Sequence, residues 1–276
     1  MLFRSTVRVP YDIVGEAEVL GCSMLEGTTV NQPSVSGSPW RGLPITDVPE
    51  FPVTPEEMLE RPRVSTLIEA SEKLKGKEDV FVTANCNSPE SLAMHLLGLE
   101  NLIMGGMMTP HKVFEWVDAL APYTTALARR LSEIADNVSL ITSVQADLMT
   151  PDINKNIIER DRKIVSCIKG AFSTVHNCGQ TLPFIDGIVS MGSDVLSLET
   201  SSDPETFLRR IRGRCRTIGC LNPVSILLES SPERIVAEAA RSSRLGFDLV
   251  GPECGVPPMT ADSHLRALSE YRERLK

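Results

Sequence analysis

The chain has few aromatic residues and a deficit of positive charge. Phe, Trp and Tyr make up 5% of its 276 residues, and its 28 Lys and Arg residues are outnumbered by 36 Asp and Glu. A surface that follows a nucleic-acid backbone needs clustered cations, often with aromatic rings that stack on bases. Together with the net charge of −8, this composition argues against nucleic acid as a partner.

Long apolar runs are also missing. The first residues, MLFRSTVRVPYD, contain no apolar stretch of signal-peptide length, and no segment has the roughly 20 apolar residues of a transmembrane helix. We therefore predict a cytoplasmic protein that does not act at a membrane. Its seven cysteines show no disulfide-type regularity, so we expect free thiols, some of which are metal ligands.

Short β-rich runs alternate with helical segments along the whole chain, which predicts βαβ units and a parallel sheet. Four helix starts carry a capping residue followed by proline, and the first of them precedes the helically spaced segment SLAMHLLGLENLIMG; the capping residues are Ser88, Thr109, Asp203 and Ser231. The length and the 42% hydrophobic content fit a single α/β barrel domain over residues 1–276. The β-rich runs are STVRVPYD, DVFVTANC, NVSLITSV, FSTVHNC, DVLSLET, CRTIGCLN and FDLVGPEC.

These seven runs are one fewer than the eight parallel strands of a closed (β/α)8 barrel. We expect the missing first strand-helix unit to precede the first visible strand. Because unpaired sheet edges seek partners, we expect the gap to be covered by a folded-back loop, by a second chain in a homodimer or by an upstream segment. Region 26–52, rich in Pro, Gly, Ser and Thr, predicts a long loop with a short extended piece; it is a candidate cover for the site.

Three potential metal ligands fall at the carboxyl ends of predicted strands, where a parallel barrel has its active site. His176 and Cys178 in VHNCG are two residues apart and therefore share one face of a strand, and Cys254 in VGPECGVPP ends the last strand. Three His and Cys ligands with one replaceable position are typical of catalytic zinc. Core packing is the alternative for each residue taken alone, and spacing does not decide between the two.

Other strand ends carry polar residues that indicate a binding pocket. Glu199 in DVLSLET is the candidate catalytic residue, either as a displaceable fourth zinc ligand or as a base beside the metal; a cap for the chain near Ser201 and Asp203 is the alternative. The substrate-binding candidates are Asp12, Asn85, Ser143, Gln145 and Asn222. For Asp12, a place at the start of a helix is the alternative.

Three longer segments resemble the uroporphyrinogen decarboxylase superfamily, and within it most closely the methylcobamide:coenzyme M methyltransferases. They are VHNCGQTLPFIDGIVSMGSDVLSLET, IGCLNPVSILLESSPERIVAEAARSSRLGFDLVGPECGVPP and VPYDIVGEAEVLGC. The resemblance implies a TIM barrel in which His176, Cys178 and Cys254 bind zinc, and it places the family's carboxylate on Glu199. Glu253 stands where the family more often has a small residue.

The resemblance also implies a reaction. A zinc-bound thiol is deprotonated, and its thiolate would take a methyl group from a corrinoid. Asp262, Ser263 and His264 lack the glycine that a corrinoid-binding motif requires, so we expect a partner protein to carry the methylated corrinoid. A uroporphyrinogen-type decarboxylase and a non-catalytic barrel that binds a corrinoid protein are the alternatives. The acceptor stays open between coenzyme M, another small thiol and a folate.

Overall fold

A computed structural model describes residues 5–10, 12–42 and 44–275 of the chain. Its strands are β1 Ser5–Val9, β2 Ser23–Leu25, β3 Ser34–Gly37, β4 Val80–Asn87, β5 Asn137–Ile141, β6 Phe172–Asn177, β7 Val195–Leu198, β8 Arg216–Leu221 and β9 Leu249–Pro252. Its α-helices are α1 Gly15–Val19, α2 Pro55–Glu60, α3 Pro62–Leu74, α4 Pro89–Leu97, α5 Leu99–Met108, α6 Pro110–Ile134, α7 Pro151–Val165, α8 Ile185–Ser190, α9 Pro204–Ile211, α10 Pro232–Leu245, α11 Asp262–Ser269 and α12 Tyr271–Arg274. A 3₁₀ turn at Leu182–Phe184 and a π-helical turn at Pro223–Leu228 complete them. Within the described ranges, no helix is both long and apolar enough to cross a membrane.

The main sheet has seven parallel strands in the order β1-β4-β5-β6-β7-β8-β9, and helices connect them. It is a curled half-barrel of the TIM-barrel type, so the predicted fold class is confirmed, and each of the β-rich runs forms one strand. Strands β1 and β9 are the two edges of this sheet as described. The extended piece in region 26–52 is β3, which pairs with β2 in a separate antiparallel hairpin rather than with the main sheet.

Four predicted helix starts are confirmed, with α4, α6, α9 and α10 each beginning at the expected proline. The predicted cap at Thr109 was wrong, because its side chain makes no capping hydrogen bond. The side chains of Ser88, Asp203 and Ser231 each accept a hydrogen bond from the backbone N–H three residues later. Such caps satisfy amide groups that the first helical turn leaves unpaired. The helically spaced segment SLAMHLLGLENLIMG forms two helices, because Gly98 adopts φ +86° and separates α4 from α5.

An aromatic cluster holds region 26–52 against α6. The rings of Trp40, Phe51, Trp116 and Tyr123 meet edge to face, with centroids 5.5–6.0 Å apart. Trp116 Nε1 donates a hydrogen bond to the backbone carbonyl of Thr46 at 2.9 Å. The region that the sequence predicted as a loop is therefore anchored along the outer helical layer by packed rings.

The two faces of the main sheet differ in polarity. Alternate residues such as Val82, Val138 and Val175 are buried in the hydrophobic core beneath the helices. The opposite, inner face is polar at its centre, where Asn137 accepts a hydrogen bond from Thr174 Oγ1 at 2.9 Å and donates one to Thr83 Oγ1 at 3.3 Å. Branched apolar side chains usually fill this space in such barrels. Polar residues here leave an inner face suited to a ligand.

Candidate metal centre

The structure brings the three predicted metal ligands together at the carboxyl ends of β6 and β9. Cys178 Sγ lies 3.4 Å from His176 Nε2 and 3.0 Å from Cys254 Sγ. One potential ligand atom from each residue falls within 4.8 Å of the other two. His176 is the last but one residue of β6, and Cys254 follows β9 by two positions, so strand ends that are distant in sequence build the group.

The donor set fits zinc. Two thiolates and an imidazole are ligands that zinc prefers, and three of them leave the open position of a catalytic site. Zinc–sulfur distances of about 2.3 Å in a tetrahedron place two sulfurs about 3.8 Å apart and a sulfur and a nitrogen about 3.5 Å apart. The Cys178–His176 separation of 3.4 Å already matches, and the sulfur pair at 3.0 Å needs to open by about 0.8 Å.

Ser197 sets the orientation of the His176 ring. The two residues are register partners on β6 and β7, and His176 Nδ1 lies 3.0 Å from Ser197 Oγ. With Nδ1 held by this hydroxyl, the ring keeps Nε2 directed at the two sulfurs. Metal-binding histidines are commonly held through their second nitrogen in this way. His176 is 8% exposed, so the arrangement is shielded from competing water.

The two thiols have very different acidities. Hydrogen bonds from Cys178 and from His176 lower the pKa of Cys254 to about 4. The hydrogen bond to Cys254 raises the pKa of Cys178, and burial and the negative charges of Cys254, Glu199 and Glu253 raise it further. Without a metal, the pair therefore holds one thiolate and one thiol. Because metal ligands must be deprotonated, loading zinc would release the proton of Cys178.

Glu199 lies beside this group but outside it. Its Oε2 accepts a hydrogen bond from the backbone N–H of Gly179 at 2.8 Å, and its charge acts on Cys178. The carboxylate is half-buried, as a group that meets a substrate proton must be partly accessible. Its catalytic role stays a prediction. The alternative role for Glu199 was to cap the chain at Ser201, but a different carboxylate accepts that hydrogen bond.

That carboxylate is Glu253, which the sequence marked only as a departure from the family pattern. It is 0% exposed, and its Oε2 accepts hydrogen bonds from the backbone N–H groups of Thr200 at 3.0 Å and Ser201 at 2.8 Å. Its Oε1 accepts from Ser201 Oγ at 2.7 Å and from Asn222 Nδ2 at 3.1 Å. Glu253 therefore ties the ends of β7, β8 and β9 together directly beside Cys254. No sequence spacing signals this role, because its partners follow two other strands, β7 and β8.

Two of the predicted substrate-binding residues make structural contacts. Asp12 accepts hydrogen bonds from Arg63 Nη2 at 3.1 Å and from the backbone N–H of Val14 at 3.2 Å. Asn222 donates to Glu253, and its Oδ1 accepts from the two backbone N–H groups that open the π-helical turn. For both residues, substrate binding stays a prediction, and a substrate would have to compete with these contacts.

The other three predicted binding residues lie at the ends of β4 and β5. Asn85 Nδ2 donates to the carbonyl of Pro10 at 3.1 Å, whereas its Oδ1 is buried without a hydrogen-bond partner in the described part of the chain. Ser143 Oγ lies 2.8 Å from Ser91 Oγ, and the backbone of Gln145 is held by the side chain of Asn154. Their roles in binding stay predictions.

A buried carboxyl pair, Glu90 and Asp161, lies between α4 and α7. Thr142 Oγ1 contacts a carboxyl oxygen of each, and Ser88 Oγ donates to Glu90. Burial raises the pKa of Glu90 and, with the nearby Glu90 charge, raises that of Asp161 well above its ordinary value. The pair therefore holds a shared proton to a higher pH than isolated carboxyl groups would, because two adjacent buried carboxylates do not readily both ionise.

Arg8 is a further residue that the sequence analysis missed. On β1 it is the register partner of Thr83, so both side chains face the inner side of the sheet. Desolvation by burial lowers the pKa of Arg8, and the negative charge of Cys254 offsets part of this effect. The signal was present in the sequence as a lone arginine within the apolar alternation of TVRVP.

A curled parallel β/α sheet with a histidine and two cysteines at its carboxyl end defines a half-barrel of the TIM-barrel type with a candidate metal site. The family model "Uroporphyrinogen decarboxylase (URO-D)" matches residues 5–275. The chain therefore belongs to the uroporphyrinogen decarboxylase family, as its sequence segments predicted.

Several proteins that are similar to this chain are named methyltransferases. The methylcobamide:CoM methyltransferase MtaA of Methanosarcina barkeri (strain Fusaro) is 27% identical over 273 residues, which are 97% of this chain and 79% of the relative. The methylcobamide:CoM methyltransferase MtbA of Methanosarcina acetivorans is 26% identical over 280 residues, or 98% and 80% of the two chains. A solved methyltransferase from Methanosarcina mazei superposes with a TM-score of 0.86 at 26% identity, over 98% of this chain and 80% of its own. The predicted resemblance to methylcobamide:coenzyme M methyltransferases is confirmed.

Proposed function

We propose that this chain is a corrinoid-dependent methyltransferase that moves a methyl group from a methylated corrinoid, carried by a partner protein, to a small thiol. The observation that carries the proposal is the His176, Cys178 and Cys254 group at the carboxyl end of the barrel. Similarity to methylcobamide:CoM methyltransferases supports the same reaction class. Coenzyme M is the first acceptor to test, because those relatives are named for it.

In this proposal His176, Cys178 and Cys254 hold one zinc ion. The metal would supply Lewis acidity that lowers the pKa of a bound thiol, so that the substrate sulfur is present as a thiolate. Two thiolate ligands offset the charge of the divalent ion, which keeps the substrate sulfur electron-rich. That balance suits attack on a methyl group better than hydrolysis.

The protein side chains position the reactants and move a proton. Ser197 holds the His176 ring, and Glu253 fixes the backbone beside Cys254. Glu199, half-buried beside Cys178, is the proposed acceptor of the proton that the thiol loses. The sulfur–carbon bond forms as the cobalt–carbon bond breaks, and the electron pair of the broken bond stays on the corrinoid. Holding the two reacting atoms in line is the main contribution of the barrel.

The test uses the full chain loaded with zinc, free methylcobalamin and a small thiol. We expect about one zinc per chain by elemental analysis and zinc-dependent loss of the methylcobalamin absorption spectrum. Cys254→Ala should lose most of the metal and all of the transfer activity. Cys215→Ala is the matched control, because that half-buried thiol lies outside the metal-ligand group, and it should retain both properties.

Two outcomes would contradict the proposal. Decarboxylation of uroporphyrinogen without methylation of any thiol would assign the decarboxylase reaction instead. Binding of a corrinoid protein by a chain that neither holds zinc nor methylates a thiol would indicate a non-catalytic barrel.

A further inference from the structure

A cavity of about 630 Å³ lies at the amino ends of β7, β8 and β9, at the end of the sheet opposite the candidate metal ligands. The loops that precede these three strands form its wall. A glycine stands in each loop, and a Cβ on Gly192, Gly213 or Gly246 would meet no atom of the described chain within 4 Å. The cavity is therefore open along this edge, and a ligand from solvent can reach it.

Arginines dominate the charge of this cavity. Five of the eight residues 209–216 are arginine, in a chain whose net charge is −8. Three of the five line the cavity and are exposed, namely Arg212, Arg214 and Arg216. A concave surface that carries charge of one sign concentrates ions of the opposite sign. The cluster therefore makes the cavity a candidate anion site.

Contacts within the chain account for part of this cluster and leave two arginines unpaired. Arg210 and Arg214 share the carboxylate of Asp186. In contrast, the guanidinium groups of Arg212 and Arg216 form no ion pair or hydrogen bond with any described residue. These two cations are available to a ligand.

The negative groups at the cavity are fewer and already accept hydrogen bonds. Asp194 Oδ2 accepts from the backbone N–H of Ser173 at 2.8 Å and from its hydroxyl at 2.9 Å. Asp248 Oδ2 accepts from the same two groups of Thr217, at 2.8 Å and 3.2 Å. Arginines in the last turns of α9 and α10 offset the partial negative charge at the carboxyl ends of these helices. Three arginines against two carboxylates leave the cavity with an excess of positive charge.

We propose that this cavity binds a small multivalent oxyanion, a phosphate or carboxylate compound with at least two charged groups, through Arg212 and Arg216. A guanidinium pairs with such groups through two parallel N–H···O bonds, and two guanidinium groups favour a ligand with two charged ends. The volume falls within the range of about 300–1,000 Å³ for small-molecule sites. Among the described residues no aromatic ring lines the cavity, so it offers no platform on which a nucleic-acid base would stack.

The test titrates the full chain with inorganic diphosphate, citrate and orthophosphate by calorimetry. We expect one saturable site per chain, with diphosphate or citrate bound about 10-fold more tightly than orthophosphate or better. Arg212→Gln and Arg216→Gln should each weaken the preferred anion about 10- to 100-fold, because each removes charged hydrogen bonds. Arg234→Gln is the matched control, since this exposed arginine near the start of α10 does not line the cavity, and it should keep the wild-type affinity.

Diphosphate and citrate also bind metal ions, so the titration is repeated on Cys254→Ala, which removes a proposed zinc ligand at the other end of the sheet. An unchanged affinity in this variant supports the arginine site. Loss of binding in Cys254→Ala, equal weakening by Arg234→Gln, or no saturable binding of either anion by the wild-type chain would overturn the assignment. If one of the two arginine variants fails to fold, the other decides. Tighter binding of diphosphate than of citrate would identify a phosphate compound, the reverse a carboxylate, and both results support the site.

Discussion

Replacing Glu253 with Gln is a sharp test of how the metal centre is supported. The substitution keeps the size of the side chain but removes its charge and turns one acceptor into a donor. The Gln oxygen still accepts from the backbone N–H groups of Thr200 and Ser201. Its amide nitrogen then faces Asn222 Nδ2, which is also a donor and is 3.1 Å from the native oxygen. Asn222 is not free to turn its amide, because its Oδ1 already caps the π-helical turn.

The expected magnitude follows from these contacts. The substitution leaves at least one buried donor without an acceptor, which costs about 1–3 kcal/mol. For a domain of this size each kcal/mol lowers the melting temperature by about 2–4 °C, so Glu253→Gln should melt about 2–12 °C below the wild type. Because Cys254 follows Glu253 directly, its placement should loosen and the zinc dissociation constant should rise about tenfold or more.

Thermal unfolding followed by circular dichroism and zinc competition with a chromophoric chelator measure the two effects. Glu229→Gln is the control, since this exposed glutamate makes no contact with the metal group and its change should stay within about 0.5 kcal/mol. If Glu253→Gln melts and binds zinc as the wild type does, the carboxylate does not support the site and the reasoning fails.

Two further predictions follow from buried polar contacts. Ser197→Ala should raise the zinc dissociation constant about 10- to 100-fold, because His176 loses its orienting partner. The same chelator competition measures this constant, and an unchanged value would show that packing alone holds the ring. Burial raises the pKa values of Glu90 and Asp161, so the pair stabilises the fold at low pH and loses that contribution as pH rises through the raised values. Asp161→Asn imitates the protonated acid and does not titrate. Its free energy of unfolding should therefore rise relative to that of the wild type as the pH increases above about 4. The difference should grow by at most about 1.4 kcal/mol per pH unit for each proton that the wild-type pair releases. Parallel pH profiles of the two proteins would contradict the shared proton.

Strand alternation made most of the fold and the metal group predictable. Residues two apart on β6 share a face, and the carboxyl ends of parallel strands meet, so His176, Cys178 and Cys254 were placed together from local patterns alone. Helix starts were equally local, because a cap and a proline lie next to each other in sequence. The break at Gly98 was missed because leucine and methionine on both sides continue the helical spacing.

Long-range partners account for what the sequence did not show. Glu253 receives its hydrogen bonds from Thr200, Ser201 and Asn222, which are 31 to 53 positions away along the chain. A glutamate between a proline and a cysteine has no pattern that signals such contacts. The inward placement of Arg8 was not predicted for a different reason, since strand parity alone does not tell which face of an edge strand turns inward. Only the register with β4 settles it.

The charges around the candidate metal site would favour an electron-rich sulfur. Glu199 and Glu253 both act on Cys178, and the two cysteines would contribute thiolates to a bound metal. Glu253 is held by four hydrogen bonds and, among the described residues, by no cation, so no ion pair offsets its charge. These charges raise the pKa of Cys178, whereas that of Cys254 is lowered, so protons should compete with a metal for Cys178 more strongly than for Cys254.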